Sequence, residues 1–363
     1  MRLPLVVLSC GCGALLWATD FVVPSGTTVT TTQTLSTAGD EGVIEQGGAI
    51  IVLNQDGVEM DAANQSVLNA GTITLTNTLG NVSYGILSRG VAQSIVNTGT
   101  ISVTASDSSC ISSVDSGASI INSGALFASG EISQGIYSGV LNSILNSGTI
   151  SVTGGLSSGV VLETSSTLVN SGTISATGQT SRGVYLFDPS TKLVNSGTIS
   201  ATGQGSRGVL IDGASSTLLN SGTISATGTN ATAVSSADVS VLVENSGTIK
   251  GPTALSFTTT NPTLSLLLGS NIQGVVSTVQ ALNLNVQEGL NLRLTIEEQN
   301  GFGTLNIGSP YITVGNTETI AVVDRTGFTM QADVLEDLSD SVLDSIYRGK
   351  YDYLHCCDLH CGG

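Results

Sequence analysis

Glu163 and Asp212 are the residues of this chain best spaced for acid–base chemistry. Each lies three residues beyond a valine, Val160 or Val209, and Phe187 holds the same place after Val184. If these segments are stacked strands, the two carboxylates fall in register two layers apart, roughly 9.6 Å. That is near the upper limit for an inverting pair, in which one carboxylic acid protonates a glycosidic oxygen and the other activates water. Arg182 and Arg207 occupy adjacent layers nearby, and Tyr185 offers a ring on which a sugar can stack. The competing reading is structural: the arginines balance Asp188 or Asp212 at the surface, where such pairs contribute ~0 to 1 kcal/mol. The residues favour the second reading, because no long insertion walls a cleft between Asn146 and Ile249. An enzyme is therefore the alternative and not the expectation.

Other chemistry is sparse. The segment His355-Cys356-Cys357-Asp358-Leu359-His360-Cys361 has zinc-ligating residue types, but adjacent cysteines lack the spacing of a folded site. Both histidines lie there, so no Ser-His-Asp arrangement can form upstream. Glycine-rich segments fall at the ends of short strands and not in a phosphate-cradling loop. No metal or cofactor is expected.

The elements that carry Glu163 and Asp212 follow from a repeat. Asn-Ala-Gly-Thr-Ile at 69–73, Asn-Thr-Gly-Thr-Ile at 97–101 and Asn-Ser-Gly-Ala-Leu at 122–126 precede Asn-Ser-Gly-Thr-Ile at Asn146, Asn170, Asn195, Asn220 and Asn245. The spacings, 28, 25, 24, 24, 25, 25 and 25 residues, are those of stacked units that cannot bury an apolar face alone. In Thr149-Ile150-Ser151-Val152-Thr153 apolar and hydroxyl residues alternate with period two, the mark of a half-buried strand. Gly159-Val160-Val161-Leu162 begins a second strand, and Ile144-Leu145-Asn146 ends a third. Three strands per 24 or 25 residues, turned by Gly, Ser and Asn, predict an all-β chain: a right-handed parallel β-helix. Leucine-rich horseshoes share the period but need a leucine scaffold and a helical segment, which are missing here.

Stacking turns each repeat position into a ladder. Asn146, Asn170, Asn195, Asn220 and Asn245 share parity with the apolar position two residues earlier, so their amides are expected to point inward and bond to one another. Ile150, Ile174, Ile199, Ile224 and Ile249 form the core spine. Leu145, Val169, Val194 and Leu219 have opposite parity. They form either an exposed aliphatic contact stripe or a column covered by a corner loop.

Of the 363 residues only 10% are charged, yet the net charge is −17, which repels phosphate backbones and excludes a nucleic-acid partner. Arg2, the apolar run Leu3 to Trp17 and Ala18 read as an export signal over 1–19. An irregular cap is expected over 20–41, the repetitive β-helix over 42–275 and degenerate rungs over 276–328. Val334, Leu335, Leu338, Val342 and Ile346 recur at helical spacing, predicting an amphipathic helix over 329–347, with an unstructured tail over 348–363.

This order of signal, Asn-Ser-Gly-Thr-Ile rungs, a Leu-Gly-Ser-x-Ile-x-Gly segment at Leu268 to Gly274 and a following helix resembles the passenger of an autotransporter. Those Gram-negative surface proteins export a β-helix through a carboxy-terminal barrel of their own. The resemblance implies an exported or surface-displayed structural module acting in adhesion or self-aggregation. Its partners would be molecules on host or neighbouring cells, or further copies. A barrel of about 12 strands needs well over ~100 residues, whereas 348–363 alone follow the expected helix. The outer-membrane translocator is therefore expected to be missing from this chain, which is either truncated or served by a separate protein.

Overall fold

The computed structural model describes residues 20–298, 302–308, 311–314 and 319–322. The expected signal over 1–19, the helix over 329–347 and the tail with its cysteines and histidines lie outside them. Within them the chain is all-β, a parallel β-helix of about eleven turns, on the order of 50 Å long.

Each regular turn contributes one strand to each of three faces. In the turn beginning at Ser143 these are Ser143–Asn146, Thr149–Thr153 and Ser158–Leu162. They define an asparagine face, a threonine face and a third face that carries the tyrosines Tyr137 and Tyr185. The asparagine face is a 13-stranded sheet running from Phe21–Val23 to Phe302–Ile307. Register is strict: Asn146 pairs with Asn170, Ile150 with Ile174 and Val160 with Val184, each with its counterpart one repeat on.

The pentapeptide closes each turn for identifiable reasons. The Asn146 carbonyl accepts the N–H groups of both Ser171 and Gly172, at 2.8 and 3.1 Å, so one backbone oxygen satisfies the corner above it. The following Gly is required by close approach: a Cβ on Gly172 would lie 2.1 Å from the Gly148 oxygen, and one on Gly197 equally near the Gly172 oxygen. The isoleucine then turns inward. Ile150, Ile174, Ile199, Ile224 and Ile249 are fully buried in one continuous aliphatic core. The other two corners use a left-handed residue in each turn, as at Leu156, Thr180 and Asn230, and at Ser165, Ser190, Ser215 and Ser240. Serine and threonine are not the natural choice for positive φ. Stacked backbone bonds such as Thr180 N–H to Gln204 O and Ser190 N–H to Ala214 O, both 2.9 Å, hold them there.

The ends differ from the expected plan. Residues 20–41 form a first coil and not an irregular cap: Phe21–Val23, Thr28–Val29 and Gln33–Leu35 each pair in parallel with the next turn. Their alternation is the same as that of later rungs, but Val23-Pro24-Ser25-Gly26-Thr27-Thr28-Val29 stands in place of the pentapeptide. Near the other end, Thr248–Phe257 is a single ten-residue strand that passes from the threonine face to the third face without a corner. Its register shifts around Gly251 and Pro252, because proline cannot donate to the ladder. Two antiparallel pairings, of Thr319–Val322 with Leu292–Glu298 and with Tyr311–Val314, close the described rod.

Candidate functional site

The asparagines spend their side chains on the interior. From Asn69 to Asn245 each Nδ2 donates to the Oδ1 of the next, through Asn97, Asn122, Asn146, Asn170, Asn195 and Asn220, at 2.7 to 2.8 Å. A second bond runs from each Nδ2 to a corner carbonyl, as from Asn195 to Gly197 at 3.3 Å. The column ends where Leu266 replaces the next asparagine, and Asn245 turns to Ser270 Oγ at 3.3 Å. All are buried, and apart from the Oδ1 of Asn69 at the column's start, which has no partner, their amides are paired along the ladder.

The surface offers three different ladders. On the asparagine face Leu145 is 41% exposed and Val169 37%, with Val194 and Leu219 half-buried in the same outward column. The column extends upstream through Ile121, Val96, Leu68 and Val43 and stops at Glu244. The parity argument left an exposed stripe or a covered one. The side chains stand on the outside of the rod.

The threonine face is a grid of hydroxyls: Thr149, Ser151 and Thr153, then Thr173, Ser175 and Thr177, Thr198, Ser200 and Thr202, and Thr223, Ser225 and Thr227. None is buried and none is charged.

Ionisable and aromatic groups gather on the third face. Glu163, Phe187 and Asp212 follow directly on strands Ser158–Leu162, Arg182–Leu186 and Arg207–Ile211, whose last residues are register partners. The expected alignment of the two carboxylates is therefore present, but Phe187 stands between them, 46% exposed, its ring 5.3 Å from that of Tyr185 in an edge-on arrangement. Each carboxylate is tied to a tyrosine of an earlier turn. Tyr185 Oη donates to Asp212 Oδ2 at 2.9 Å, and Tyr137 Oη donates to Glu163 Oε1. Burial, with the bond to and charge of Asp212, pushes the Tyr185 phenol up to about 12. Tyr137 moves the same way, from burial and then Glu163. Asp188 accepts instead from Thr164 Oγ1 at 3.0 Å.

The arginines do not balance these acids. Among the described residues the ion pairs belong to Arg89, with Asp61 at 2.8 Å and Glu59 at 4.0 Å. The carboxylates that Arg182 and Arg207 were expected to meet are engaged by hydroxyls instead, Asp212 by Tyr185 and Asp188 by Thr164. Arg182 instead lies over the Tyr185 ring, its guanidinium carbon 4.7 Å from the centroid. Its Nε is buried without a partner, and burial followed by the neighbouring Arg207 charge depresses its basicity, partly offset by Tyr185 and Asp212.

The pairing of each acid with a tyrosine was not anticipated, although the spacing carries a signal: Tyr137 precedes Glu163 by 26 residues and Tyr185 precedes Asp212 by 27, one turn plus a step. Chemically, the face presents an aromatic ledge, two guanidinium groups and two tyrosine-held carboxylates on a straight wall. The corners beside them span only 163–166, 178–181 and 187–191. Set against family models, curated proteins and solved structures, the chain matches none of them.

Proposed function

We propose that this chain is an exported, autotransporter-like passenger that acts as a structural and adhesive rod at a bacterial surface. The observation that carries the reading is the uniform outer surface of the β-helix. An aliphatic column runs from Val43 to Leu219, and over four successive turns a hydroxyl grid from Thr149 to Thr227 repeats in register beside it. A surface of this kind binds through many weak, equivalent contacts, whose combined strength grows with the number engaged. Partners are molecules on neighbouring or host cells, or further copies of the rod.

The test displays the full chain on cells and compares it with a Leu145→Thr, Val169→Thr double variant. Both positions are exposed, so folding should be unaffected while settling of cells or attachment to host cells falls. Equal aggregation and attachment by displaying and non-displaying cells would sink the adhesive reading.

A second reading, a polysaccharide-cleaving enzyme, draws support from the alignment of Glu163 and Asp212 on one column. Incubating the chain and its Glu163→Gln and Asp212→Asn variants with neutral and acidic glycans tests it. Turnover by the parent that disappears in both variants would favour the enzyme over the rod.

A further inference from the structure

We propose that Arg182, Arg207, Tyr185 and Phe187 form a subsite for an anionic sugar, a carboxylate-bearing uronate residue of an acidic polysaccharide. This adds a ligand to the adhesive reading and rests on a different face and different residues.

The argument begins with charge. The chain has 27 acidic residues and only 10 lysines and arginines, so a basic side chain has many potential partners. Yet Arg182 and Arg207 are direct register partners on adjacent strands, and among the described residues neither forms an ion pair. Adjacent strands lie only about 4.8 Å apart, so two like charges are held together and the acids beside them are engaged by tyrosine and threonine hydroxyls. The Asp212 charge offsets part of this repulsion at Arg182, but no carboxylate among the described residues comes within ion-pair distance of either guanidinium. A planar guanidinium pairs with a carboxylate through two parallel N–H bonds, and two stacked guanidiniums can share one carboxylate or grip successive ones. The Arg182 Nε is buried and unpartnered, which leaves the terminal guanidinium nitrogens to meet a ligand.

The rest of the patch selects the body of the ligand. Phe187 is exposed and locked edge-on to Tyr185, while Tyr185 is fixed by Asp212 below and Arg182 above. Arg182 covers the Tyr185 ring, so the exposed Phe187 ring is the apolar ledge beside the cations, suited to the C–H face of a pyranose. A hexose with a carboxylate offers both features in one unit. The net charge of −17 opposes a long polyanion of either kind, so the contact the patch can hold is a single uronate carboxylate at the guanidinium pair and not a run of phosphates.

The experiment titrates the full chain with an oligogalacturonate, its fully methyl-esterified counterpart and a sulfated glycan, by calorimetry at low and high salt. Binding to the free acid is expected, weakened by salt and absent for the ester. Arg207→Gln should weaken it by at least about tenfold, the loss expected for a hydrogen bond between charged groups. Phe187→Ala should also weaken it, and a conservative Arg207→Lys should restore part of it. The melting temperature of Arg207→Gln should stay level or rise, because a repulsion is removed. Equal binding of acid and ester, binding of the sulfated glycan alone, no effect of Arg207→Gln, or a lower melting temperature in that variant would each overturn the proposal. Cell aggregation through the aliphatic column would survive any of these results, so failure here is distinguishable from failure of the adhesive reading.

Discussion

Replacing Asn195 by alanine removes the central link of the amide column, and the cost can be worked bond by bond. Asn195 Nδ2 donates to Asn220 Oδ1 at 2.7 Å and to Gly197 O at 3.3 Å, and its own Oδ1 accepts from Asn170 Nδ2 at 2.8 Å. Asn170 retains the Gly172 carbonyl at 3.3 Å as a partner, so its donor is not stranded. Asn220 Oδ1 is left buried with no donor, and water cannot reach it because Asn220 is only 3% exposed. Two well-formed bonds at about 1 kcal/mol each, plus about 1–3 kcal/mol for the orphaned acceptor, give a loss of about 3–5 kcal/mol. With a urea dependence of about 3 kcal/mol per molar, that moves the midpoint down by about 1 M or more. Because stacked repeats unfold as neighbours and not as one block, a break in the middle should also broaden or split the transition. The assay is urea unfolding followed by far-ultraviolet circular dichroism. Asn195→Leu serves as a second variant, since it refills the volume but strands the same acceptor. A loss below about 0.5 kcal/mol in both, the range of ordinary surface substitutions, would refute the claim that the column carries structural weight.

Four further outcomes follow from the same geometry. Ile199→Ala, at a fully buried position, should cost about 2–5 kcal/mol in urea unfolding. Gly172→Ala places a methyl 2.1 Å from the Gly148 oxygen and should cost about 1–3 kcal/mol or more, whereas Ser171→Ala, at an exposed neighbour, should stay within about 0.5 kcal/mol. Tyr185 is held up to about 12 in the folded chain against about 10 when unfolded. The native state therefore keeps a proton that the unfolded state releases, and stability present below about pH 10 is lost as pH rises towards 12. Urea midpoints at about pH 9 and about pH 11 should converge in part for Tyr185→Phe. Cys110 is buried and desolvation pushes its thiol up, so peptide mapping after brief alkylation should find it unmodified until urea unfolds the chain.

The repeat made the fold legible because each pentapeptide residue has one geometric duty that recurs. Asn bonds along the axis, Gly admits the neighbouring backbone, and Ile fills the core, so periodicity and parity were enough to align three faces. The first coil was harder to read. Phe21–Val23 and Gln33–Leu35 stack like later strands, but a signature search finds nothing there because Val23, like its partner Ile44, occupies the place that Asn69 takes two turns later. The third face was legible only in its columns. Register put Glu163 and Asp212 in line, but which groups they would meet depends on side-chain reach between turns. A tyrosine spans that distance and competes with arginine for the same carboxylate, and no one-dimensional pattern ranks the two.

The asparagine amides all donate in the same direction, from Asn69 towards Asn245. Every turn between them thus presents an oxygen on one side and an N–H on the other, like links cut from one chain. A segment of 24 or 25 residues duplicated or deleted anywhere in that stretch would leave both junctions satisfied. The rod can therefore lengthen or shorten by whole turns through simple recombination, making its length a quantity that evolution can tune without redesigning the interior.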